Sequence, residues 1–245
     1  MLADPVVPDA APPPDLSAFA PTMQLPKRRR RGRWIALATL LLVGGIGAMV
    51  GLPKYFSNRL NRNESTIIAT LKNISSAQSQ LQASGSLDVD GDGQGEYGFL
   101  GELAGTAALR GSGARLDPPV VNARLGDVRD GRVEIGGYVL QMFLPAKDGG
   151  WVTESTCGVD GSLVDTAAAE TMWMCYAWPI EHGWTGTRAF MINHRGDILA
   201  TSMSAEIYSG RIAPKGGVAG HCFDDGACHP AVNTVDGCGN TWVVI

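Results

Sequence analysis

The chain has 245 residues, 44% of them hydrophobic and 18% charged, which excludes a wholly disordered chain and fits one or two folded domains. The formal net charge of −4 is split: residues 1–33 carry six basic and three acidic residues, 34–52 carry none, and 53–245 carry 14 basic and 21 acidic. An acidic outer part excludes nucleic-acid binding, which needs clustered Lys and Arg against phosphate.

Residues 1–26 are rich in Pro, Ala and Asp and poor in aliphatic side chains. They bury too little apolar surface to offset ordering entropy, so residues 1–33 read as a disordered tail ending in a basic cluster, Lys27 to Arg33. Trp34 to Leu52 is an uncharged run of 19 residues. At ~1.5 Å per residue a helix of this length spans roughly the ~30 Å hydrocarbon core. A signal peptide has a shorter apolar core and a small-residue cleavage site, so 34–52 is expected to be a single transmembrane helix contacting lipid. The basic cluster before it predicts a cytoplasmic N-terminus and a periplasmic or extracellular C-terminal part.

Residues 53–84 read as an amphipathic extension of that helix. Leu60, Ile67, Leu71, Ile74 and Leu81 recur at spacings of three, four and seven. Asn63 is a candidate cap for the stretch that follows, and Gly85 ends it. The stripe is expected to pack on its own domain; packing against copies of itself is the sharper alternative.

Beyond Gly85, short β-like runs alternate with turns: Tyr97–Leu100, Val133–Leu144, Met172–Trp178, Thr187–Ile192, Asp197–Met203 and Thr241–Ile245. Asn193-His194-Arg195-Gly196 is a hairpin signal, and Thr166–Met172 reads as a short helical turn. The expected fold class is α+β: residues 85–245 form one β-rich head, with the amphipathic helix packed on an antiparallel sheet.

Asp88-Val89-Asp90-Gly91-Asp92-Gly93-Gln94-Gly95-Glu96 is the most specific local motif. Alternating carboxylates with glycines between them let a loop wrap several oxygens around one hard cation. The twelfth position from Asp88 is Phe99, so a standard EF-hand is excluded. A shorter calcium loop would use Asp88, Asp90, Asp92 and Glu96, with the Gln94 carbonyl as a fifth ligand; an acidic turn joining helix to sheet is the plain alternative.

The five cysteines all lie on the side placed outside the cytoplasm, where disulfides persist. Cys157 with Cys175 and Cys222 with Cys228 are local candidate pairs, leaving Cys238 over. His221-Cys222 with Cys228-His229 also has zinc-binding residue types, at a spacing that fits no zinc-finger pattern. No Gly-x-Ser-x-Gly elbow and no His-Glu-x-x-His occurs. No enzyme and no catalytic residue is expected.

The order of features carries a resemblance. An apolar helix runs into an amphipathic one containing Asn63-Glu64 and then Leu71, Ile74 and Ala77-Gln78. The Asp/Gly loop follows, then Glu96-Tyr97-Gly98, a Gly137-Tyr138 strand, and Trp178-Pro179 with Gly186–Asn193. Over roughly residues 34–205 this resembles the type IV pilin-like and type II secretion pseudopilin-like proteins of bacteria. The resemblance implies a lollipop shape, a long helix half in the inner membrane, calcium in many heads, and contact with other pilin-like subunits or a secretion assembly. Prepilins carry a leader ending in Gly, then an aromatic residue and a Glu five residues in. Here Gly32 is followed by Arg33, Trp34, Ile35, Ala36 and Leu37, so an uncleaved, anchored, non-enzymatic pilin-like protein is expected. An anchored calcium-dependent binding or sensor domain is the alternative.

Overall fold

A computed structural model of the chain describes residues 31–155, 161–218, 220–222, 228–230, 233 and 235–245. Only the backbone is described for 31–36, 38, 43–54, 220–222 and 228–230. Two compact units separate, Met1–Val50 and Gly51–Ile245.

Helix α1 runs over Arg31–Ser84, 54 residues, and is continuous through Pro53. In its first unit Leu37, Leu40, Leu41 and Leu42 are exposed, Leu40 to 70%. The expected membrane span falls in this part of α1, where side chains are described only at these leucines and Thr39. Among the described residues no helix is long and apolar enough to cross a membrane.

In the second unit Glu64, Ile67, Leu71, Ile74, Gln78 and Leu81 are buried, with Ala77 beside them. Steps of three and four place such residues on one helix face. Leu60 is only half-buried. Ile67, Leu71, Ile74 and Leu81 are each at most 1% exposed, so these four residues pack on their own domain. Asn63 does not cap a helix. It sits inside α1, and its Nδ2 donates to Thr185 O at 2.9 Å. Gly85, in the left-handed region at φ 60°, ends the helix as expected.

The head is α+β. Strands β1 (Arg132–Ile135), β2 (Tyr138–Pro145), β3 (Trp151–Val152), β4 (Met174–Pro179), β5 (Ala189–Asn193), β6 (Ile198–Thr201) and β9 (Val243–Val244) form an antiparallel sheet. Its order is β1-β2-β4-β5-β6-β9, with β3 also on β2. A separate hairpin joins β7 (Gly220–Cys222) to β8 (Cys228–Pro230). Short helices α2 (Leu100–Leu103) and α3 (Thr166–Ala169) lie in the connections.

The run expected at Val133–Leu144 is two strands. Gly136 and Gly137, at φ 59° and 84°, make the two-residue turn that pairs Ile135 with Tyr138. The Asn193–Gly196 turn joins β5 to β6 as expected. Tyr97–Leu100 is not a strand. Its backbone groups are met by side chains: Gln78 bonds both Gly98 N and Gly98 O, and Arg110 donates to Tyr97 O. Two residues before it the chain presses on α1 so closely that a Cβ at Gly95 would lie 2.0 Å from Gln82 O.

Strands β2, β4, β5 and β6 are buried along their whole length, so the sheet is covered on both faces. One face, with Leu140, Met142, Phe190 and Ile192, packs under α1. The other, with Phe143, Tyr176, Trp178 and Met191, is covered by Met203, Tyr208 and Trp242. The C-terminal segment therefore supplies a second layer that a helix-on-sheet expectation leaves out. This two-sided burial is why these strands read as unbroken apolar runs instead of alternating.

Replacing Leu71 or Ile74 by Ala is expected to lower unfolding free energy by about 2–5 kcal/mol in chemical denaturation. Lys72→Ala, on the exposed side, should stay within about 0.5 kcal/mol of the parent. Equal, small effects at all three positions would mean that this face is not the core.

Candidate cation site

The loop after α1 is closed at its base. Glu96 N donates to Leu87 O at 2.7 Å, and Val89 N donates to Glu96 Oε1 at 2.9 Å. Leu87 is fully buried and pins the start of the loop. Between these ends the aspartates bind the loop's own amides: Asp88 accepts from Gly91 N (2.7 Å) and Gly93 N (3.1 Å), and Asp92 accepts from Gln94 N (2.8 Å). Short side chains bonding nearby amides are what holds an Asp/Gly turn together. One carboxylate oxygen from each of Asp88, Asp90 and Asp92 lies within 4.8 Å of the others.

Of the expected carboxylate ligands, Glu96 lies outside the aspartate cluster. It is 1% exposed, its Oε1 holds Val89 N, and its Oε2 lies 3.3 Å from Arg110 Nη1. Burial pushes the Glu96 carboxyl above its ordinary value, against the pull of Val89 N–H and Arg110. It is the base of the loop. Gln94, whose carbonyl is the expected fifth ligand, is exposed, and its side-chain Nε2 lies 3.3 Å from Asp92 Oδ2.

Arg110 also bonds Glu102, Nε to Oε1 at 3.1 Å, and Glu102 Oε2 accepts from Phe99 N at the start of α2. Glu154 completes this group, taking Gly101 N at 3.1 and 3.2 Å on its two oxygens. Burial pushes the Glu154 carboxyl from its ordinary 4.5 to about 7, and the charge of Glu102 adds to the rise, while the amides of Gly101 and Leu100 oppose it. A cleft of about 650 Å³ opens beside Arg110 and Glu154. Both side chains are already engaged there.

A second polar anchor joins α1 to the loop between β4 and β5. Glu64 Oε1 accepts from Thr187 N (3.1 Å) and Thr187 Oγ1 (2.9 Å), and Oε2 accepts from Arg188 Nε (2.9 Å) and Nη2 (2.7 Å). Tyr138 Oη donates to Arg188 O at 3.1 Å, and Phe56 meets Trp184 edge-on at 5.4 Å between centroids. Neither Glu64 nor Gln78 stands out when the helix is read for apolar residues. The signal was the arithmetic: the three-and-four stepping of the stripe falls on 64 and on 78.

Cys175 is a free thiol, fully buried on the α1 side of β4, and not half of a bridge to Cys157. Burial pushes it up to about 12. Cys157 lies outside the described residues. The β7–β8 register sets Cys222 opposite Cys228 and His221 opposite His229, and nothing is described of those four side chains. Cys238 is a free, half-buried thiol.

The raised Glu154 pKa carries a sign. Between about 4.5 and about 7 the folded chain holds a proton that the unfolded chain has lost, so stability falls as pH rises through that window. Glu154→Gln keeps an acceptor for Gly101 N–H and removes this titration. The variant's unfolding free energy should be flatter across the window and higher at pH 8, by on the order of 3 kcal/mol. An unchanged slope would assign the pH dependence to another group. Glu64→Ala should cost roughly 1.5–3 kcal/mol by the same measurement, since it strips a charged acceptor from Thr187 and Arg188.

Searches of family models, of curated proteins and of solved structures return no match to this chain.

Proposed function

We propose that the protein is a non-enzymatic, membrane-anchored component of the bacterial cell envelope, pilin-like in plan, that works by protein–protein contact. One observation carries this reading. Helix α1 extends over Arg31–Ser84, yet among the described residues its buried side chains run from Glu64 to Leu81, and leucines 37, 40, 41 and 42 stand exposed on the N-terminal part. Exposed leucines clustered on one helix need an apolar partner, and lipid supplies one without specific contacts. The uncharged stretch 34–52 behind a basic cluster supports a single span with a cytoplasmic N-terminus, and the outer head would then be periplasmic or extracellular. The sequential resemblance to pilin-like proteins supports the same plan.

The buried face of α1 is spent on the head, so contact with other subunits or with a secretion assembly falls to its outward face. There Asn73, Ser76 and Gln80 are exposed. The full chain, expressed in a bacterial host, should remain with membranes through alkaline carbonate extraction, and deletion of 34–52 should release it. Recovery of the full chain in the soluble fraction would end the anchoring part. A photo-crosslinking side chain at Asn73 or Gln80 should yield discrete protein adducts; lipid adducts alone would end the protein-contact part.

A further inference from the structure

Single exposed apolar side chains are ordinary on a protein surface, and a connected group of aromatic ones calls for a partner. Tyr55 is 66% and Trp184 54% exposed, whereas Trp173, Trp178 and Trp242 are buried. Phe56 connects the exposed pair, its ring centroid 5.9 Å from Tyr55 and 5.4 Å from Trp184, both edge-on. All three rings belong to the unit Gly51–Ile245, two on α1 and one on the loop between β4 and β5.

Trp184 is not on a loose tip. Glu181 O accepts from both Trp184 N (3.1 Å) and Thr185 N (2.9 Å), and Gly183 N donates to Gly186 O at 2.8 Å. Thr185 O takes Asn63 Nδ2 of α1, and Glu64 holds Thr187 and Arg188 just beyond. These bonds fix the loop against α1, so the exposure of Trp184 belongs to a built turn.

The course of α1 points to lipid as the partner. The uncharged stretch ends at Leu52, and Phe56 is four residues on in the same helix, about 6 Å at ~1.5 Å per residue. The headgroup layer on each side of a bilayer is roughly 5–7 Å deep. Trp and Tyr collect in that layer, because their rings suit its apolar boundary while the N–H or O–H stays wet. Arg59 and Arg62 follow on α1, exposed, where long basic side chains reach phosphate. Glu181 is the exposed acid of the loop and offsets one of these two charges, so insertion of the rings, and not net charge, carries the contact.

We propose that Trp184, with Tyr55 and Phe56, seats the β4–β5 loop in the lipid headgroup layer, so that the head makes its own contact with the membrane. The seating rests on the anchoring of residues 34–52 and adds a second, weaker attachment to it.

The test uses the full chain in phosphatidylcholine vesicles, with each sample also put through alkaline carbonate extraction. Tryptophan emission is measured for the parent and for Trp184→Phe, and the difference reports Trp184. Lipids brominated near the headgroup should quench that difference, and lipids brominated near the chain ends should leave it. A photo-crosslinking side chain in place of Trp184 should yield lipid adducts. One in place of Leu163 should yield none, because Leu163 is exposed beside the last residues of β2, whereas Tyr138 at its first residue meets the loop. Retention of the parent through extraction with either readout absent would overturn the seating and leave the anchor standing. Stronger quenching by chain-end bromines would overturn the headgroup depth. Protein adducts alone at position 184 would overturn lipid as the partner. Release of the parent by carbonate would overturn the anchoring, and the seating with it.

Discussion

A charged carboxylate on the buried face of a helix has to find its donors, and Glu64 finds four of them on Thr187 and Arg188. Apolar contacts between α1 and the sheet are non-directional and would tolerate a slip of one turn. The Glu64 carboxylate would not, because a slip leaves it buried without partners, at the cost of its whole desolvation. Gln78, about four helical turns further on, repeats the constraint with its paired bonds to Gly98 N and O. Two polar fixings on one face set both the rotation and the height of α1 on the head.

From that setting the rest follows along the chain. Gln78 fixes Gly98, and Gly98 lies between Tyr97, whose carbonyl Arg110 takes, and Phe99, whose amide Glu102 takes. Arg110 in turn reaches Glu96, and Glu96 closes the aspartate loop through Val89 and Leu87. The loop's shape is therefore held from inside the domain, by a nearly dry cluster of charges. A removed member of such a cluster leaves the others unpaired, which is how buried ionic groups specify one arrangement even where they add little net stability. Asp90 and Asp92 are left exposed on the loop's outer side.

On the far side of the sheet the same economy holds. Trp178 donates to Gly210 O, Trp242 donates to Asp236, and Asn240, fully buried, bonds Ala205 N and Glu206 O. Indole and amide groups let a loop-built layer cover a sheet with its indole and amide donors paired, while the Tyr208 hydroxyl is buried without a partner. The central strands are shut from water on both sides, and a free thiol at Cys175 is at home there as a small apolar side chain.

The sequence by itself determined the local matters: a helix ending at Gly85, a hairpin at Asn193–Gly196, the short turn at 166–169, and an α+β head. These follow from periodicity and from residues with restricted or permissive backbones, which act within a few positions. It also marked Asp88, Asp90 and Asp92, because their spacing is local. Tertiary structure alone decided what pairs across distance. It turned Glu96 inward to Arg110, buried Cys175 as a free thiol, and laid the C-terminal segment over the second face of the sheet. A carboxylate's role depends on which charges and amides surround it, and those come from segments tens of residues away, which no spacing rule in the chain encodes.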